Sequence, residues 1–528
     1  MNPLRTWFVL LALILGFAET GPRAQAQNEK PAGEGAQAAS ATASKAEVEE
    51  LRKELAAQRR TIERLQTLVE QLAEIKSRAT APATDGAHLV NAGFVQPETA
   101  SESVQATKTD QKPAEKKEGP PPLAAGWNGE HFFIKSSDGQ FQLQPYGYFQ
   151  SDYRAYRGDG APSDTFVIRR ARLGFLGSYG KYYDFAVLAD VAAGNGISLR
   201  DLFMNVKPTP YFQVQVGQFK LPFAQEVLQA VTNIDFVERS LASLLYPSAA
   251  TAYRSPGAMI RGDISGGVMQ YWVGAFNGKG ILTNNTTNEP EVIARLRFYP
   301  WKKKKDSLFQ GFAFGGAIGH GRTRGLSNET SFSGTTPDAA YSFFPSFRVN
   351  GPVERYNGEF TWTHGPWAVR GEYDQLRQFR RGVGSEQSGG LGFTTLPAVV
   401  AKAGYLQATY LLTGESRPEN GAPKVKHPFL GPETAGAGRK WGAWELAFRY
   451  DKIHAKAPGA NLSNQFTPGL VPTFDDHTDA FTAGINWYPN YWVRYMLDFS
   501  VDRLKEPSVT GALPQNYFTT LQRLQFRF

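Results

Sequence analysis

The chain has no cysteine. Disulfides and thiolate metal sites are excluded, as is lipidation through an N-terminal cysteine. Its seven histidines are scattered and show no metal-ligand spacing. Serine, histidine and aspartate occur, but no nucleophile motif such as G-x-S-x-G accompanies them. The expectation is a protein that holds no cofactor or metal and is not an enzyme. Long apolar runs are also scarce. Trp7 to Phe17 is an apolar run of 11 residues, and a spanning helix needs about 20. The formal net charge of +8 is modest for 528 residues. No RNA- or DNA-binding motif is present, which argues against a nucleic-acid partner.

What is there is β-sheet patterning. Aromatics make up 13% of the chain, with 22 Tyr, 10 Trp and 53 Gly. Hydrophobic residues reach only 41%, and the mean hydropathy is −0.38. Between Ile168 and Asp263 bulky apolar residues occupy every second position. Phe185, Val187, Ala189 and Val191 share one face; Asp184 and Asp190 share the other. Phe212, Val214 and Val216 alternate with Gln213, Gln215 and Gly217. Period two is the signature of strands. Strands that are apolar on one side and polar on the other suit a transmembrane barrel with a wet interior.

The N-terminal quarter reads differently. Residues 1–26 have the form of a secretory signal: Arg5, the apolar run, then Ala24-Gln25-Ala26 as a cleavage site. Residues 27–44 read as a flexible segment. In residues 45–78, Val48, Leu51, Leu55, Gln58, Ile62, Leu65, Val69 and Leu72 alternate spacings of three and four. Those are coiled-coil positions, and a self-associating coiled coil is the expectation. Residues 79–125, rich in Ala, Thr, Pro, Glu and Lys, cannot bury a core and read as a disordered linker.

Residues 126–528 are expected to form the barrel. Sixteen candidate strands lie near 141–154, 165–177, 181–191, 199–207, 211–219, 257–265, 268–276, 291–299, 309–320, 354–363, 366–376, 402–412, 442–453, 478–487, 491–502 and 517–528. Connections after even strands are short, such as SYG, KPTP, SGG, HGP and YPN; those after odd strands are long, including 220–256, 321–353 and 377–401. Short periplasmic turns and long extracellular loops are the pattern of an outer-membrane barrel. The long 413–441 connection breaks the alternation. Aromatics cluster at strand ends, as in Tyr299–Trp301 and Tyr491–Trp492, where an interfacial girdle belongs. In the terminal LQRLQFRF, Leu524, Phe526 and Phe528 face one way, as in an outer-membrane targeting strand.

The segments IRRARLGFLG, VGQFKLPF, FVERS, YLLTGE with WELAFRYDKI, and INWYPNYWVRYMLDF run in order across residues 140–528. Together they resemble the phosphate-selective porin O and P family. The resemblance implies an all-β, 16-stranded antiparallel barrel, a homotrimer in the outer membrane, and passage of small anions such as phosphate. The coiled coil and the linker lie outside the matched region.

Turning each apolar face to lipid assigns the alternate residues to the lumen. Basic and acidic residues so assigned are nearly equal in number, so count alone predicts no anion preference. Placement is more informative. Arg154, Arg170, Arg172, Arg523 and Arg527 gather on the wall where the last strand meets the first two, against only Asp152. Arg295 and Arg297 form a second pair. The acids gather elsewhere. Loop 220–256 carries so much apolar surface that it is expected to fold inward and narrow the pore, as the corresponding family loop does. Its basic residues are Lys220, Arg239 and Arg254. Lys302–Lys305 read as a solvated turn. The leading expectation is a passive, anion-favouring porin in contact with outer-membrane lipid, its N-terminal region periplasmic. The alternative is a structural protein that tethers the membrane to the cell wall through its coiled coil.

Overall fold

The computed structural model describes residues 123–127, 131–192, 196–324, 331–384, 394–430, 440–459, 474–505 and 515–528. The predicted signal, flexible segment, coiled coil and most of the linker fall outside these residues. Sixteen strands form the barrel. They are β3 (Phe141–Arg157), β4 (Thr165–Tyr179), β5 (Tyr183–Asp190), β6 (Ser198–Thr209), β7 (Phe212–Lys220), β8 (Arg254–Ile264), β9 (Met269–Phe276), β10 (Glu291–Phe298), β11 (Ala313–Thr323), β14 (Gly351–His364), β15 (Trp367–Gly384), β16 (Thr394–Leu411), β17 (Ala443–Ala457), β18 (Phe474–Tyr488), β19 (Val493–Lys505) and β20 (Gln515–Arg527). Each pairs antiparallel with its neighbour. β20 pairs back onto β3, from Phe518↔Arg157 to Arg527↔Tyr148, and so closes the sheet. All sixteen predicted strands are present.

Closure removes every edge, so all backbone groups in the wall can pair within it. Alternation then sorts the side chains. Along β20, Tyr517, Thr519, Leu521, Arg523, Gln525 and Arg527 are buried inside, while Phe518, Leu524 and Phe526 point outward. Leu173, Phe175, Phe448 and Phe481 are likewise exposed on the outer face. At the short-turn end aromatic rings meet in pairs: Trp444 with Trp487, Trp301 with Phe309, and Trp127 with Trp492. An apolar band bounded by aromatics suits a bilayer.

Four features depart from the sequence reading. A hairpin of β1 (Ala124–Trp127) and β2 (Phe132–Lys135) begins within the segment assigned to the linker. β2 pairs with the start of β3 at Leu143 and Gln142, beyond the point where β20 ends. The long loop expected at 377–401 is mostly strand, because β15 and β16 stay paired to Gly384↔Thr394 through register shifts. The 321–353 connection contains a hairpin, β12 (Ser331–Thr335) with β13 (Ser342–Arg348). Its Phe343, Phe344 and Phe347 are buried, and Tyr341 stacks on Tyr517 at 3.9 Å. Finally, residues 413–427 turn inward, with Glu415 and Arg417 buried.

Candidate functional site

The interior is organised by residues 221–253, between β7 and β8. Leu221, Phe223, Val227, Phe236, Val237, Leu241 and Leu245 are buried, and one apolar cluster joins most of them to lumenal side chains and to the 341–349 hairpin. The loop holds a four-residue helix, α1 (Gln225–Leu228), and two short 3-10 turns. Ser248, Ala252 and Tyr253 take positive φ angles of 53°, 57° and 66°. Each such residue costs roughly 1 kcal/mol or more, and the packing around the loop offsets this.

The loop's backbone meets the walls on both sides. Its N–H groups donate to carboxylates: Gln225 to Glu359 at 2.8 Å, Glu226 to Glu372 at 2.8 Å, Val237 to Asp498 at 2.6 Å and Leu241 to Asp451 at 3.3 Å. Its carbonyls accept from cations: Gln229 from Lys220 at 2.8 Å, Ile234 from Arg494 at 2.7 Å, and Val237 from Arg523. Two loop acids complete the attachment. Asp235 is held by Arg370 at 2.5 Å and by Arg417, which reaches in from the 413–427 segment and also meets Glu445 at 2.8 Å. Glu238 lies among four guanidiniums, with Arg154 and Arg169 each at 2.7 Å, Arg523 at 3.5 Å and Arg170 at 3.8 Å. Burial opposes the charge on Glu238, but Arg169, Arg170, Arg523 and Arg154 outweigh it and hold the carboxyl well below its usual range.

Beside the loop is a cavity of about 680 Å³. Its cations are Arg169, Arg170, Arg172, Arg200, Lys220, Arg239, Arg254 and Arg355, and its acids are Asp190 and Glu238. Arg172 pairs with Asp190 at 2.8 Å, Arg254 with Asp201 at 2.7 Å, and Arg355 with Glu291. Arg170 donates to Gln150 at 2.8 Å. Lys220 and Arg239 donate to loop carbonyls, and no carboxylate among the described residues forms an ion pair with either. The opposite wall, on β14, β15, β17 and β19, carries Glu359, Glu372, Asp374, Glu445, Asp451 and Asp498, all buried.

The family model for phosphate-selective porins O and P matches residues 143–528. The chain belongs to that family. The porin's fold also aligns with solved outer-membrane proteins. OmpT of Vibrio cholerae is 12% identical, with a TM-score of 0.45, over 75% of this chain and 100% of that one. The outer membrane channel DcaP of Acinetobacter baumannii is 11% identical, with a TM-score of 0.44, over 75% and 99%. OmpF of Salmonella typhi, in complex with daunomycin, is 11% identical, with a TM-score of 0.44, over 76% and 100%. No curated relative matches the chain. Family and barrel identify an outer-membrane channel protein.

Of the predicted site residues, the porin brings Arg170, Arg172, Lys220, Arg239 and Arg254 to the cavity. Arg154 and Arg523 lie next to it, tied into Asp152 and Glu238; Arg523 holds Asp152 with two bonds of 2.7 and 2.8 Å. Arg527 is farther off. It stacks over the Tyr491 ring at 4.0 Å and donates to Asn233 at 3.0 Å. Arg295 and Arg297 are on another wall, where Glu359 binds both.

Strict alternation missed Arg169 and Arg200. A bulge between β3 and β4 pairs Gln150 with Arg170 but Ser151 with Ile168, so Arg169 is the extra residue. A second bulge, between β5 and β6, skips Arg200 in the same way. A bulge re-aims one side chain, so two consecutive residues face inward at each place. The charged dyads Arg169-Arg170 and Arg200-Asp201 are the only trace of this in the sequence. Glu238 gave no advance sign that it would become the hub of four arginines.

Proposed function

We propose that this porin passively conducts small hydrophilic solutes across the outer membrane and favours anions. The observation that carries the reading is the cavity beside the inward loop, where eight cationic side chains face Asp190 and Glu238. Fixed positive charge along a narrow, low-dielectric path lowers the barrier for anions and raises it for cations. Phosphate, named in the family's description, suits guanidinium forks that engage two oxygens at once. We assign the short turns, and with them the N-terminal region, to the periplasmic side, and family membership supports a homotrimer.

The test is the reversal potential in a salt gradient across a planar bilayer, first with chloride and then with phosphate. A preference for the anion is expected. Arg170→Glu with Arg172→Glu should move the potential toward cations, and Lys303→Glu with Lys304→Glu should move it much less. Cation preference in the parent would overturn the reading. A barrel that does not conduct would favour the alternative, a tether through the coiled coil expected at residues 45–78.

A further inference from the structure

We infer that the cavity is a binding site for an organic anion, meaning a carboxylate or phosphate carried on an apolar body, and not only a waypoint for bare inorganic ions. The inference rests on the anion-porin reading and specifies its solute.

Three observations support it. The first is size. A cavity of about 680 Å³ falls within the roughly 300–1,000 Å³ typical of pockets that enclose organic ligands. The second is a two-sided lining. Strand residues supply all the cations but Arg239, while the loop and the 331–348 hairpin contribute Leu244, Leu245, Tyr246, Tyr253, Pro337 and Ala339. An inorganic ion has no use for that second surface. The third is unspent polar capacity. Lys220 and Arg239 have no carboxylate partner among the described residues, and Arg239 lies 5.3 Å from the Tyr253 ring centroid. Arg200 Nε and Arg355 Nε are buried at the cavity without a hydrogen bond, although the Arg200 guanidinium also meets Asp190 at 3.4 Å. Buried polar groups are ordinarily paired, so a ligand oxygen facing the arginine donors would complete the site. The head group would sit toward Arg200, Lys220 and Arg239, with the apolar body against Leu244 and Tyr253.

Binding can be read without conduction. Titration calorimetry on the detergent-solubilised porin would compare inorganic phosphate, phenyl phosphate, acetate and benzoate. Burying a phenyl ring should tighten binding by about tenfold or more, for phenyl phosphate over phosphate and for benzoate over acetate. Lys220→Met should weaken all four. Leu244→Asn should weaken only the two aromatic anions. Equal affinity within each pair would overturn the inference, leaving a site that reads charge alone. The parent's pairs decide this even if a variant fails to assemble. A cation-selective reversal potential, measured separately, would remove the porin reading beneath it.

Discussion

The two charged walls of the lumen carry similar numbers of ionic side chains but dispose of them differently. On the acidic wall loop N–H groups share the acids with nearby arginines. Glu359, Glu372, Asp451 and Asp498 each accept a loop N–H, and Tyr246 adds its hydroxyl to Glu372 at 2.5 Å. Around the cavity the arginines pair with a few shared acids, while Lys220 and Arg239 donate to loop carbonyls instead. Counting charges therefore misjudges a pore. What matters is which charges the protein has already used to hold itself together.

The largest expected effect comes from attacking that division at the β3–β20 junction. Arg523→Ala leaves buried Asp152 with Arg154 as its remaining cation and should cost about 3 kcal/mol, the low end for breaking a buried pair. Urea unfolding in detergent, followed by the gel mobility of the barrel, measures it; an unchanged midpoint would show that this arginine is not structural. Glu372→Gln should loosen the loop by about 0.5–1.5 kcal/mol, the worth of an ordinary hydrogen bond. Faster trypsin cleavage at Arg239 would reveal it. Glu359→Gln frees Arg295 from its acid and leaves Arg297 with Glu419 alone, turning a spent charge into an available one. The permeability ratio should move toward chloride by several-fold, or about 1 kcal/mol. No shift would mean that the acidic wall is remote from the ion path. Arg157→Ala removes an exposed pair with Asp164 and should change stability by less than about 1 kcal/mol.

The fold was legible because period-two alternation and closure demand the same thing of every strand. All sixteen strands appear in the sequence for that reason, as does the inward loop, whose apolar content from Leu221 to Leu245 could not remain in water. What stayed hidden depends on contacts distant in sequence. The extension of β15 and β16 past Leu376 needs a partner strand to be seen. Arg417 looks like any loop arginine until Asp235 and Glu445 surround it. Arg169 and Arg200 required the bulges, which local alternation does not encode. That Arg154, Arg170 and Arg523 meet at Glu238 depends on how a loop folds.

The junction between β3 and β20 has one more consequence. Asp152 and Arg523 are 371 positions apart in the chain, so their meeting must wait for most of the sheet to form. Until then β3 and β20 are open edges, each with unpaired backbone groups that invite another chain. Both edges carry charge on the face that will become interior: Asp152 and Arg154 on one, Arg523 and Arg527 on the other. Inward charges of this kind discourage pairing with a stranger, because a foreign strand would not bring the matching acid or base in register. The residues that lock the finished barrel thus also guard it against aggregation while it is still open.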